Sequence, residues 1–141
     1  MKKIIFITAV WIYALATSCA QSTPPAAVTT AFNQKFPNAK DIKWDKENEH
    51  EFEAAFDWQG EKYSANFSDN GIWLETESTY TFNQLPEKVQ TAFNTSNEGA
   101  TIKAVAKIET SKGEIKYEVE FKKGIMTVEL FYNAEGTELK N

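Results

Sequence analysis

The chain has 141 residues, 25% of them charged, with a formal net charge of -5, one cysteine and one histidine. Its acidity excludes a nucleic-acid binder, because phosphate contacts need a basic patch. A single cysteine excludes a disulfide framework and a cysteine-built metal site, and the length suits one domain burying roughly two-thirds of its unfolded surface.

Met1-Lys2-Lys3 is a short basic opening, and Ile4 to Leu15 is apolar except for Thr8. That run is a signal-peptide core, too short to span a bilayer as a mature helix. Ala16-Thr17-Ser18-Cys19 then resembles a lipobox, in which the cysteine thiol is acylated and Cys19 becomes the mature N-terminus. The usual leucine three places before the cysteine is Ala16 here, with Leu15 one place further out. Ordinary secretory cleavage after Ala20 is the alternative. Either route exports the protein, to the periplasm or to the outer membrane by a lipid anchor, and removes Lys2 and Lys3, leaving the chain two charges more negative. Membrane attachment is then expected only through the lipid. Residues 1–19 form the signal segment, 20–24 a tether, and 25–141 one domain.

Val28, Ala31, Phe32 and Phe36 recur at helical spacing, so about 25–36 is a helix, with Pro25 in its first turn and Pro37-Asn38 after its end. Ile42 and Trp44 mark a strand. Phe52, Ala54, Phe56 and Trp58 share one face of the next, with Glu51, Glu53 and Asp57 on the other. Gln59-Gly60 turns the chain; Tyr63, Ala65 and Phe67 point inward. Asp69-Asn70-Gly71 is a hairpin turn. Beyond it parity places Ile72, Leu74 and Thr76 inward, and Trp73, Glu75 and Glu77 outward.

Thr79 to Gln84 joins this half to a second. Pro86 opens another helix, with Val89, Ala92 and Phe93 as its stripe, ending near Asn94. Ile102, Ala104, Ala106 and Ile108 mark a strand. Ile115, Tyr117, Val119 and Phe121 alternate with Lys116, Glu118, Glu120 and Lys122. Met126, Val128, Leu130 and Tyr132 alternate with Thr127, Glu129 and Phe131, and Asn133 to Gly136 makes the last turn. The halves correspond. Pro25 to Asn33 matches Pro86 to Asn94 at a shift of 61, with Pro, Val, Thr, Ala, Phe and Asn identical. Phe52 to Phe56, Gly71 and Leu74 answer Tyr117 to Phe121, Gly136 and Leu139 at a shift of 65. A repeat at this period defines the architecture: an α+β fold, a tandem repeat (25–78 and 85–141) of a helix plus four antiparallel strands. Together the repeats form one curved sheet of about eight strands, with two helices on one face over a shared core. The opposite face should meet water.

The helix-start motif, the run to Phe36-Pro37-Asn38-Ala39, Tyr117-Glu118-Val119-Glu120-Phe121 and Asn133-Ala134-Glu135-Gly136 resemble the PepSY-like family of secreted bacterial proteins. The resemblance implies a fold similar to beta-lactamase inhibitor protein and inhibitor-like use of the open sheet face. It implies no activity or cofactor, and fold alone does not give function.

Catalytic constellations are not apparent. His50 stands in a charged turn with no nucleophile or second base beside it. Asp69-Asn70-Gly71 lacks the spaced oxygens of a calcium loop. No phosphate loop, serine elbow or histidine pair occurs, so no metal site, cofactor or catalytic residue is expected. Trp73 and Phe131 are the exceptions to the bland pattern, because parity puts both on the solvent face. Either they pack across strands there, or they anchor a partner. The favoured reading is a non-enzymatic cell-envelope binding module. It holds a protein or peptide with Trp73 and Phe131 as anchors and Glu75, Glu118, Glu120 and Glu129 as a charged surround. The alternative is a periplasmic acidic cation-binding or sensing protein.

Overall fold

A computed structural model describes residues 22–140; the signal segment and Cys19 lie outside them. The elements run α1 (Ala26–Lys35), β1 (Lys40–Asn48), β2 (Glu51–Trp58), β3 (Glu61–Ser68) and β4 (Trp73–Thr79), then α2 (Glu87–Ser96), β5 (Thr101–Thr110), β6 (Ile115–Lys123), β7 (Met126–Tyr132) and β8 (Glu138–Leu139). A single 3-10 turn, Phe82–Gln84, forms the joint before α2. The strands make one antiparallel eight-stranded sheet in sequence order, each bonded to the next. The expected α+β architecture is therefore present, and each half has the same element order.

Both helices begin after a proline, Pro25 and Pro86, whose fixed φ suits a helix start. Each buries a valine and a phenylalanine, Val28 with Phe32 and Val89 with Phe93. Phe32 meets Phe56 edge-on at 4.9 Å, and Phe93 meets Phe121 edge-on at 5.1 Å. Gly71 and Gly136 explain a second correspondence. Both have positive φ, and a Cβ at either would stand 2.5 Å from a helix carbonyl, that of Ala27 or Lys88. Only glycine lets the hairpin approach the helix so closely.

The shared core is corrected. Buried apolar side chains form two clusters. One joins α1 to β2 and β3 through Val28, Phe32, Phe36, Phe56 and Phe67; the other joins α2 to β5, β6 and β7 through Val89, Phe93, Val105, Phe121 and Tyr132. Backbone pairing of β4 with β5, from Glu75↔Thr110 to Thr79↔Ala106, carries the sheet across the junction.

Two bulges interrupt the alternation of faces. In the β3–β4 ladder the register slips so that Asn66 pairs with Glu75 and Phe67 with Trp73, leaving Leu74 as the extra residue. A bulge interrupts period-two alternation, so Trp73 joins Phe67 on the helix-covered face, contrary to its expected outward position. Ile72, expected inward, is 62% exposed before the strand. In β5 the register slips between Ile102 and Ala104. Ile102 stays opposite Phe121 on the core face, while Ala104, Ala106 and Ile108 lie opposite Glu120, Glu118 and Lys116 on the other.

Candidate binding face

The face away from the helices can be followed rung by rung, because residues paired across an antiparallel ladder share a side. It runs from Asp45 and Glu53 through Asn66 and Glu75 to Thr110, and from Ser64 through Glu77 to Ile108 and Lys116. Beyond these it continues from Ala106 through Glu118 and Phe131 to Leu139. Among the described residues both helices pack on the opposite side, so this face has no covering layer. It was expected to be simply wet, and it is not. Glu118 is 3% exposed, Ser64 2%, Ala106 and Ile108 5%, and Thr110 8%. A depression of about 450 Å³ opens at Thr79, Ala104, Ala106, Glu118, Glu120 and Thr127.

Burial sets the electrostatics. Glu118 is pushed up to about 8 from an ordinary 4.5, first by desolvation, then by repulsion from Glu77, Glu129, Glu120 and Glu75. Glu53 is likewise raised to about 8, by desolvation first and then by its hydrogen bond with Glu47 and repulsion from it; the Ser64 hydroxyl pulls the other way. Glu75 is raised by burial, with Lys116 lowering it. Glu129 is raised by burial and by Glu120, its direct cross-strand partner. A buried oxygen of Glu118, Oε1, has no hydrogen-bond partner. Both shifts favour the protonated form, of Glu118 itself and of the hydrogen-bonded Glu53–Glu47 pair.

The structure separates the expected site residues. Glu75, Glu118, Glu120 and Glu129 share the open face, and Phe131 stands there half-buried between Glu118 and Leu139. Trp73 is on the other side. Its ring lies 3.4 Å below the Lys35 ammonium and packs on the α1 cluster, while its indole N–H donates to the Thr76 hydroxyl at 2.9 Å. Cys19 lies outside the described residues. Glu53 and Glu77 belong to the acidic group but were not among the expected site residues. Parity put both on the right face, but it carries no signal of burial depth. His50 is exposed at the β1–β2 turn, with Nδ1 3.0 Å from the Asp69 carboxylate. Among the described residues no three His, Cys, Asp or Glu side chains could jointly hold a metal ion. Nor, among them, is any helix long and apolar enough to cross a membrane.

A family model described as "Putative beta-lactamase-inhibitor-like, PepSY-like" matches residues 50–140. No curated protein matches the chain. Among solved structures, a BLIP-like protein from Bacteroides fragilis NCTC 9343 is 27% identical, with a TM-score of 0.71 and 86% of each chain covered. A DUF2874 family protein from Bacteroides ovatus ATCC 8483 is 23% identical, with a TM-score of 0.74, covering 84% of this chain and 86% of that one. A protein from Bacteroides eggerthii DSM 20697, described as "putative periplasmic", is 19% identical, with a TM-score of 0.77, covering 84% and 88%. The last two likenesses bear on the fold alone.

Proposed function

Proceeding from the fact that this chain belongs to the PepSY-like family, we propose that it is a non-enzymatic binding module of the cell envelope that holds a protein or peptide on its open sheet face. One observation carries the reading: an uncovered sheet face that nevertheless desolvates carboxyls and keeps one carboxyl oxygen without a partner. Such a face has given up hydration without gaining an internal partner, and a surface of that kind gains by being covered. Phe131 is the aromatic anchor, and Glu75, Glu120 and Glu129 are the charged surround. Trp73 is removed from the anchor set because Lys35 and the α1 cluster already occupy its ring. The likeness to a BLIP-like protein supports inhibitor-like use of the sheet. Export by the signal segment and acylation of Cys19 complete the proposal.

The experiment places a photo-crosslinking residue at Phe131 or, as a control on the helix side, at Thr30, in cells expressing the full chain. The expected result is a discrete crosslinked species from Phe131 only. With the captured protein purified, Phe131→Ala weakens its binding by about 2 kcal/mol or more. Equal crosslinking from both positions, or from Thr30 alone, overturns the assignment of the sheet face.

A further inference from the structure

Because each half keeps its own core, a valley is left between them on the helix side of the sheet. Its floor follows from the ladders. Tyr63 pairs with Ser78, Ser78 with Lys107 and Lys107 with Tyr117; on the next rung Thr76 pairs with Ala65 and with Glu109. Tyr63 and Ala65 belong to the α1 cluster and Tyr117 to the α2 cluster, so both rungs lie on the side the helices cover. There β4 and β5 carry serine, threonine, lysine and glutamate where the flanking strands carry apolar residues. A cleft of about 440 Å³ opens over them. Trp58, Tyr63 and Trp73 line it from the first half, and Tyr80 and Gln84 from the joint. Trp58 and Tyr63 meet edge-on at 5.6 Å, and the Trp58 indole N–H donates to the Pro37 carbonyl at 3.0 Å. The Lys35 ammonium covers one face of the Trp73 ring. Packing therefore holds this wall in place before anything binds. Among the described residues, the Tyr63 and Tyr80 hydroxyls and the Lys107 ammonium have no hydrogen-bond or ion-pair partner.

We propose that this cleft is a second binding site, separate from the open sheet face, and that it takes a neutral saccharide. Charge argues against an ion, because the lining lysines, Lys35 and Lys107, are matched by two glutamates, Glu61 and Glu109. The volume is that of a small-ligand site rather than of a folded partner, and such sites favour the junction between structural units. The lining mixes two chemistries at short range. Indole and phenol rings offer apolar surface to the C–H faces of a pyranose. The Tyr63 and Tyr80 hydroxyls, the Gln84 amide and the Lys107 ammonium meet its hydroxyls, which both donate and accept. Gln84 already gives Oε1 to Thr81 and keeps its amide N–H groups for a ligand. A wholly apolar ligand would bury these polar groups without partners, which disfavours it. Glu61, Gln84 and Glu109 are exposed, so the cleft is open to solvent.

The test follows amide resonances of the full chain by NMR while maltotriose, cellotriose and triacetylchitotriose are added one at a time. A nonaproline peptide, which suits an aromatic groove of another kind, is a separate arm, and dilution of the protein alone is another. The expected result is saturable shifts at Ser78, Tyr80 and Lys107 with at least one saccharide and with neither other arm. Lys107→Met keeps the alkyl stem, removes the ammonium and should weaken that binding about tenfold or more. Ser78→Leu, which fills the floor, should weaken it similarly, and thermal melts confirm that both variants fold. Phe131→Ala, on the opposite face, should leave it unchanged. Absence of saturable shifts with all three saccharides, or undiminished binding by both cleft variants, overturns the proposal. So does binding of nonaproline at the same amides, which makes the cleft a peptide groove, or shifts on dilution alone, which make it a contact between copies. Crosslinking from Phe131 keeps the two sites distinct. If Phe131 captures its partner while no saccharide binds, the cleft proposal fails and the sheet-face reading stands. If a saccharide binds while Phe131 captures no more than Thr30, the sheet-face reading fails and the cleft stands.

Discussion

At Trp73, a lysine ammonium 3.4 Å from the ring, a hydrogen bond to Thr76 and the packing of the α1 cluster act together. Removing the indole leaves a hole beside α1 and strands the Lys35 contact, so Trp73→Ala should lower stability by about 2 kcal/mol or more. Thermal melts check this, and a variant that melts like the parent would return Trp73 to the list of free anchors. Glu118 makes a prediction of opposite character, about pH. Its folded pKa, about 8, lies above the ordinary 4.5. Between those values the native protein keeps a proton that the unfolded chain releases. The resulting stability is fully present below about pH 4.5 and is lost as pH rises through about 8. Glu53 has the same sign. The melting temperature should therefore fall across that window, and Glu118→Gln should flatten part of the fall and melt higher than the parent above pH 8. An identical slope in the variant would show that Glu118 is as well solvated as an ordinary glutamate.

At the scale of elements, each helix is pinned to its own half by equivalent contacts. Phe32 and Phe93 are both 1% exposed and both meet a phenylalanine edge-on. Each Phe→Ala change should cost about 3–5 kcal/mol, measured by denaturant unfolding. A cost below about 1 kcal/mol at either position would mean that its helix contributes little to the core. Gly71 and Gly136 hold the hairpin ends beneath Ala27 and Lys88, and the Lys88–Glu135 ion pair bridges α2 to the second of these turns. Gly71→Ala and Gly136→Ala each combine a positive φ with a carbonyl clash, so both should destabilise by about 1 kcal/mol or more. Alanine at Gly113, which also has positive φ but nothing within 4 Å, should cost less.

Across the whole molecule, two small hydrophobic clusters share one sheet. Neither half is large enough to be comfortably stable alone, since domains of this size bury little surface. We expect the β4–β5 ladder to couple them into one calorimetric transition. Two resolved transitions would show independent halves. Localisation is tested by Cys19→Ala, which should release the protein into the soluble fraction if acylation is its only membrane attachment. Mass spectrometry showing an unmodified N-terminus at Gln21 would rule the anchor out.

The apolar periodicities of Val28, Phe32 and Phe36, and of Phe52, Ala54 and Phe56, determined helix and strand without help from distant residues. So did the paired motifs at Pro25 and Pro86, because these signals are local: helix and strand repeats are properties of neighbouring residues. The same local alternation placed Phe131 and the glutamates of β6 and β7 on one face. It failed at Trp73, because a bulge depends on how two strands meet and leaves no mark in the period of either one. It also failed to foresee the burial of Glu118 and Glu53. A carboxylate on the polar side of a strand reads as solvated, and only the tertiary arrangement decides whether neighbouring rungs admit water. Here Ser64 of β3, Ala106 of β5 and Glu118 of β6 are all nearly inaccessible, and four glutamates add repulsion to the desolvation of Glu118. The pattern of the chain thus determined its elements and their order. Long-range packing decided which side chains stand on which face, and how dry that face became.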